Sequence, residues 1–123
     1  MAKWGLYPWF EEHGNSHIHP DDLQKIKDLM PYCLVFKVVG TEGNYIVLQY
    51  ADDTYRVKSD LFQEKKPAVY DFGQKVKVKR YPEKECFVRE IAWHYKEKKE
   101  FYFLFVDGKK KSRRYWPEEL DPA

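Results

Sequence analysis

Long apolar runs are missing from this sequence, as are the short motifs that mark most enzymes. No stretch of its 123 residues approaches the roughly 20 consecutive apolar positions that a membrane helix needs. The opening MAKWGLYPWF carries no apolar run of signal-peptide length after its lysine. These absences predict a soluble, cytoplasmic protein without membrane contact. Glycine occurs only six times, and no group of glycines forms a phosphate-cradling loop. There is no dinucleotide fingerprint, no carboxylate pair on an identifiable scaffold, and no nucleophile placed recognisably beside a base. The expectation is a non-enzymatic protein without cofactor. Cysteine is scarce too: Cys33 and Cys86 lie far apart in apolar, strand-like segments, which suits buried free thiols better than a disulfide.

Aromatic residues, at 18%, exceed what a core of this size requires, and they favour strands and binding surfaces. The net charge is only +2 but is unevenly spread. Residues 1–67 hold 8 Lys and Arg against 10 Asp and Glu, and residues 68–123 hold 14 against 10, so the halves carry −2 and +4. The basic second half hints at an anionic partner.

Gly5, Pro8 and Gly14 interrupt any period over residues 1–19, yet Trp4, Leu6, Tyr7, Trp9 and Phe10 supply bulk enough to plug a core. HPDDLQKIKDLMP (19–31) predicts the one good helix: Pro20 suits its first position, Asp21 and Asp22 its positive end, and Leu23, Ile26 and Met30 one face before Pro31 stops it. From Tyr32 the period becomes two. Strands are expected over 32–39, 45–50 and 54–58, then, beyond a charged link at 63–68, over 75–80, 86–95, 100–106 and 112–116.

The two halves echo one another. YIVLQYADDTYRVKSDL (45–61) aligns with FYFLFVDGKKKSRRYWPEEL (101–120), Leu48 with Leu104 and Leu61 with Leu120, if three residues are added to the second copy. The simplest place for them is the turn, which would put Lys109, Lys110 and Lys111 at a solvated tip.

Several features together resemble an SH3-like barrel of the Tudor type: the order of short strands, Phe72 and Gly73 before the alternation of Lys75, Val76, Lys77 and Val78, Trp93 and His94 near the end of a long strand, and the closing PEEL (117–120). The whole chain also resembles a family of small uncharacterised bacterial proteins that open with Gly-Leu-Tyr-Pro-Trp-Phe, here residues 5–10. The resemblance implies a mainly β fold (α+β minor), with two SH3-like or Tudor-like small barrels or half-barrels and one short N-terminal helix. Residues 1–31 would form an aromatic segment and helix packed on the first barrel, residues 32–66 a reduced SH3-like unit, and residues 67–123 the SH3-like (Tudor-type) barrel. Tudor-type barrels imply binding to peptides, sometimes methylated, or to nucleic acid.

Alternation puts Phe101, Phe103 and Phe105 on one side of their strand and Tyr102, Leu104 and Val106 on the other, so both sides are apolar. One side fills a barrel. The other is covered by the rest of the chain, by a homodimer or other protein partner, or by stacked bases. The expected function is recognition of a protein partner, as an adaptor or inhibitor, through Trp93, Tyr95, Tyr102, Arg113, Arg114, Tyr115 and Trp116, since arginines and large aromatics carry binding energy at interfaces. The alternative is sequence-tolerant nucleic-acid binding by Lys75, Lys77, Lys79, Lys109, Lys110, Lys111, Arg113 and Arg114. Interleaved glutamates argue against it. His13, His17 and His19 are weak candidates for zinc, with no repeated spacing or cysteine pair to support them.

Overall fold

The structure, a computed structural model, describes residues 2–123. The chain is mainly β, with two five-stranded antiparallel sheets and one α-helix among the described residues. It divides into two compact units, residues 1–67 and 68–123.

The first unit contains β1 (Trp4–Leu6), α1 (Leu23–Leu29), β2 (Val35–Glu42), β3 (Tyr45–Tyr50), β4 (Asp53–Val57) and β5 (Gln63–Lys65), with strand order β4-β3-β2-β1-β5. Of the N-terminal aromatics, Trp4 therefore belongs to the sheet itself, whereas Tyr7, Trp9 and Phe10 follow the strand. Residues 1–31 and 32–66 make one unit, and that unit is not reduced. Three residues around a glycine are too short to show a period of two, which hid β1. Gly5 is required where it stands: a Cβ there would lie 2.2 Å from the Gln63 carbonyl oxygen and 2.7 Å from the Phe62 ring. Leu6, Tyr7, Ile26, Phe36, Leu48 and Val57 are fully buried, and the Tyr7 hydroxyl donates to the Lys58 carbonyl at 2.8 Å.

The helix is shorter than its pattern. Residues 20–22 form a turn, and Met30, in the left-handed region at φ 53°, ends the helix and swings out to 63% exposure. Asp22 stands at the N-cap but makes no side-chain cap bond. Its buried carboxylate instead accepts from the backbone N–H of Arg56 and from its guanidinium.

The second unit contains β6 (Lys75–Val78), β7 (Cys86–His94), β8 (Lys99–Val106), β9 (Lys109–Lys110) and β10 (Leu120–Pro122), ordered β10-β6-β7-β8-β9. In each unit four consecutive strands form a meander, a 3-10 turn follows (Ser59–Leu61 or Pro117–Glu119), and the last strand returns beside the first. The two units thus share one strand order.

The added residues lie elsewhere than expected. Asp107 and Gly108, both at positive φ, form the β8–β9 turn, a conformation that a tight hairpin requires. Lys109 and Lys110 are strand residues. The surplus falls after β9, and of the strand expected over 112–116 only a bridge from Tyr115 to Tyr102 forms.

Candidate recognition surface on the second sheet

Cross-strand partners project to the same side of a sheet, so the register assigns the faces. Val88 opposite Leu104, Ile91 opposite Tyr102 and Cys86 opposite Val106 are all buried and line the core. Phe87 opposite Phe105, Glu90 opposite Phe103, Ala92 opposite Phe101 and His94 opposite Lys99 form the second face. Lys75 joins it opposite Phe87, and Lys110 opposite Phe105. A register shift between Val88 and Glu90 makes Arg89 a bulge residue. Without it, strict alternation along β7 would turn the strand's second half inside out.

This face is apolar, and cations of the same unit lie over its rings. The Arg89 guanidinium lies 5.6 Å from the Phe103 ring centroid and 6.0 Å from that of Phe105. Arg114 lies 5.0 Å from Phe101. Trp116 meets Phe101 and His94 edge-on, at centroid distances of 5.9 and 5.5 Å, and takes the Lys99 ammonium at 4.5 Å. Cations over ring faces are attracted by the ring quadrupole, and guanidinium also brings apolar contact.

The expected binding residues separate across this architecture. Arg114 and Trp116 belong to the phenylalanine face. Tyr102 and Tyr115 do not: both are buried, at 0% and 2% exposure, because they pair with each other across the β8 edge and fill the core. Tyr102 donates to Glu100 at 2.7 Å and accepts from the Tyr70 N–H. Burial, reinforced by the Glu100 carboxylate, drives its phenol far above the ordinary 10.0. Burial, then its hydrogen bond with the Tyr81 hydroxyl, pushes Tyr115 up to about 12. Trp93 pairs with Glu100 and so lies on the opposite face from Trp116. Tyr95 is 51% exposed in the turn after β7. Arg113 sits over Tyr115 at 5.0 Å and bonds Glu119 at 3.1 Å, which turns it away from the phenylalanine face.

The basic set is divided as well. Lys75 and Lys79 meet Glu85 and Asp121 at 3.6 and 3.9 Å, and Lys99 meets Glu118 at 3.0 Å. Arg89 is engaged by Glu90 and by the Lys111 carbonyl. Among the described residues, Lys77, Lys109, Lys110, Lys111 and Arg114 have no acidic partner. Arg89 and Lys99 were not legible as members of this face, because the bulge and the return of Trp116 over His94 are tertiary features.

The N-terminal histidines are engaged locally. His13 Nδ1 accepts from the Phe10 N–H at 2.9 Å, His19 Nδ1 from the Asp21 N–H at 3.0 Å, and His17 Nδ1 faces Asp60 at 2.9 Å. Among the described residues no group of three or more His, Cys, Asp or Glu could hold a metal ion. Cys86 is buried and free, whereas Cys33 is free and only partly covered. Among the described residues no helix is long and apolar enough to cross a membrane.

Compared with known proteins, residues 1–121 match the model of a family of unknown function. No curated protein and no solved structure matches the chain.

Proposed function

The chain belongs to that family of unknown function (DUF6960), so kinship supplies no activity, and we propose from the geometry that the protein is a non-catalytic recognition module for a protein partner. The second unit binds through the Phe101 face, with Arg114, Trp116, Lys99 and Lys110 as contact residues. The observation that carries this reading is a row of phenylalanines roofed by guanidinium groups, with Arg114 over Phe101 and free of any acidic partner among the described residues. Such a surface joins large aromatic area to a pre-oriented cation, the combination that dominates interface energetics. The shared strand order and the 3-10 turn before each last strand support reading both units as SH3-like barrels in tandem. An adaptor or inhibitor of the cytoplasm is the role that suits them.

The test is affinity capture on the wild-type chain beside the Arg114→Ala/Lys110→Ala variant, followed by titration of each candidate as a purified protein. A true partner should lose at least about tenfold in affinity to the variant. Equal affinity for both chains would remove the siting.

A second reading, nucleic-acid binding, has its own support in the unpaired Lys109, Lys110 and Lys111. It predicts affinity for labelled oligonucleotides that falls steeply with salt, because each neutralised phosphate releases counterions. Absence of binding at low salt would eliminate it.

A further inference from the structure

We infer that the Phe101 face takes an extended acidic segment of the partner, with two carboxylates four residues apart and an apolar side chain midway between them. The inference rests on the protein-recognition reading of this face and adds the chemistry of what it recognises.

Phe101, Phe103 and Phe105 are alternate residues of β8, so the row of rings runs for about 13 Å from first to last. At one end stands Arg114, over Phe101. At the other stands Lys110, opposite Phe105 in the β8–β9 pair. Neither has an acidic partner among the described residues. Between them charge is cancelled, because Arg89, over Phe103 and Phe105, is neutralised by Glu90. Lys99, beside Arg114's end, is neutralised by Glu118. The free positive charge therefore marks the two ends of an otherwise neutral aromatic row.

An extended peptide advances by the same increment per residue as β8, so its residues i and i+4 also span about 13 Å, with i, i+2 and i+4 on one side. Carboxylates at i and i+4 meet Arg114 and Lys110, while an apolar residue at i+2 packs on Phe103 and Arg89. The roof of guanidinium groups favours carboxylates over bases. Stacking needs an open ring face, and those of Phe101, Phe103 and Phe105 already carry arginine. A guanidinium over a ring, by contrast, keeps its donor fork free for an acid.

The probe is a fluorescein-labelled peptide, Ser-Glu-Ser-Leu-Ser-Glu-Ser, titrated against the full chain at low salt. It is compared with an isomer whose glutamates are adjacent, a lysine-for-glutamate version and a thymidine oligonucleotide. The first peptide should bind at least about tenfold more tightly than the other two peptides. Arg114→Ala and Lys110→Ala should each weaken it about tenfold, while Arg113→Ala, which removes the same charge from the Tyr115 side, should leave it unchanged. Amide shifts should cluster on residues 101–105 and 110–114. Binding insensitive to spacing, equal loss in Arg113→Ala, binding of the oligonucleotide alone, or no binding at millimolar peptide would each overturn the inference. If a variant fails to fold, the spacing and charge series on the wild-type chain decides. A purified partner bound through Arg114 without such a segment would sink the inference and leave the recognition reading standing; no Arg114-dependent partner of any kind would sink both.

Discussion

The Asp22 carboxylate accepts from the backbone N–H of Arg56 at 2.8 Å and from its Nε at 2.9 Å, and so ties the first turn of α1 to the middle of β4. Burial alone would raise the Asp22 pKa. The side-chain and backbone hydrogen bonds from Arg56, with its charge and that of Lys25, outweigh burial and hold the carboxyl below its ordinary 3.8. The unfolded chain therefore takes up this proton first as acid is added. The stability contributed is fully present above the ordinary value and is lost as pH falls below it towards the depressed folded one. Asp22→Asn should cost about 2 kcal/mol at neutral pH and flatten the acid limb of a stability–pH profile measured by urea denaturation. An unchanged acid limb would show that the pair contributes nothing.

Gly5 gives the first unit its most severe steric test. Its missing Cβ is what lets β5 cross within 2.2 Å of the ideal Cβ position, at a backbone carbonyl that cannot rotate away. Gly5→Ala should destabilise by about 3 kcal/mol or more, since overpacking against backbone has no cheap relaxation. Hydrogen exchange should localise the loss to the β1–β5 pairing of Leu6 with Gln63 and Trp4 with Lys65. Wild-type protection there in the variant would overturn the account.

Much of this fold was legible because alternation is local. The strands from Val35 to Val57 and from Lys75 to Val106 follow from side chains spaced by two. What was not legible depends on distant partners. β1 exists only because Gly5 lies between Phe36 and Glu64. Tyr102 and Tyr115 looked like surface residues beside arginines, yet a bridge across sequence distance draws both rings inward. Arg89 joined the phenylalanine face through a bulge, and a bulge has no period. Arg114 and Trp116, singled out by residue type alone, do lie against Phe101.

Among the described residues five buried phenols are raised above their ordinary value, three of them most strongly, and make the protein sensitive to alkali. Tyr7 and Tyr102 are driven far above the ordinary 10.0, first by burial and then by Asp60 and Glu100 respectively, and Tyr115 reaches about 12. A raised acid stays protonated in the folded state while the unfolded chain ionises near its ordinary value. Their stability is therefore complete below pH 10 and falls as pH rises above it. Tyrosinate absorbance should appear in two stages, exposed rings first and these with unfolding. Tyr102→Phe should cost about 1–3 kcal/mol at neutral pH, because the Tyr70 N–H loses its partner and the Glu100 carboxylate is left with the Val69 N–H. A variant as stable as wild type would show that this network is dispensable.

Two arginines lie over the same row of phenylalanines and should behave oppositely. Arg89 is largely covered, is neutralised by Glu90 and also donates to the Lys111 carbonyl at 3.2 Å. Arg114 is exposed and bonds no acid among the described residues. Arg89→Ala should uncover Phe103 and Phe105, raise binding of an apolar dye and cost about 1–2 kcal/mol through lost ring and stem contacts. Arg114→Ala should leave the melting temperature unchanged within error, since an exposed cation over one ring adds little to folding. If both variants melt alike and early, Arg114 belongs to the structure and cannot be reserved for a partner. If only Arg89→Ala melts early, the face holds one arginine for the fold and leaves the other for recognition.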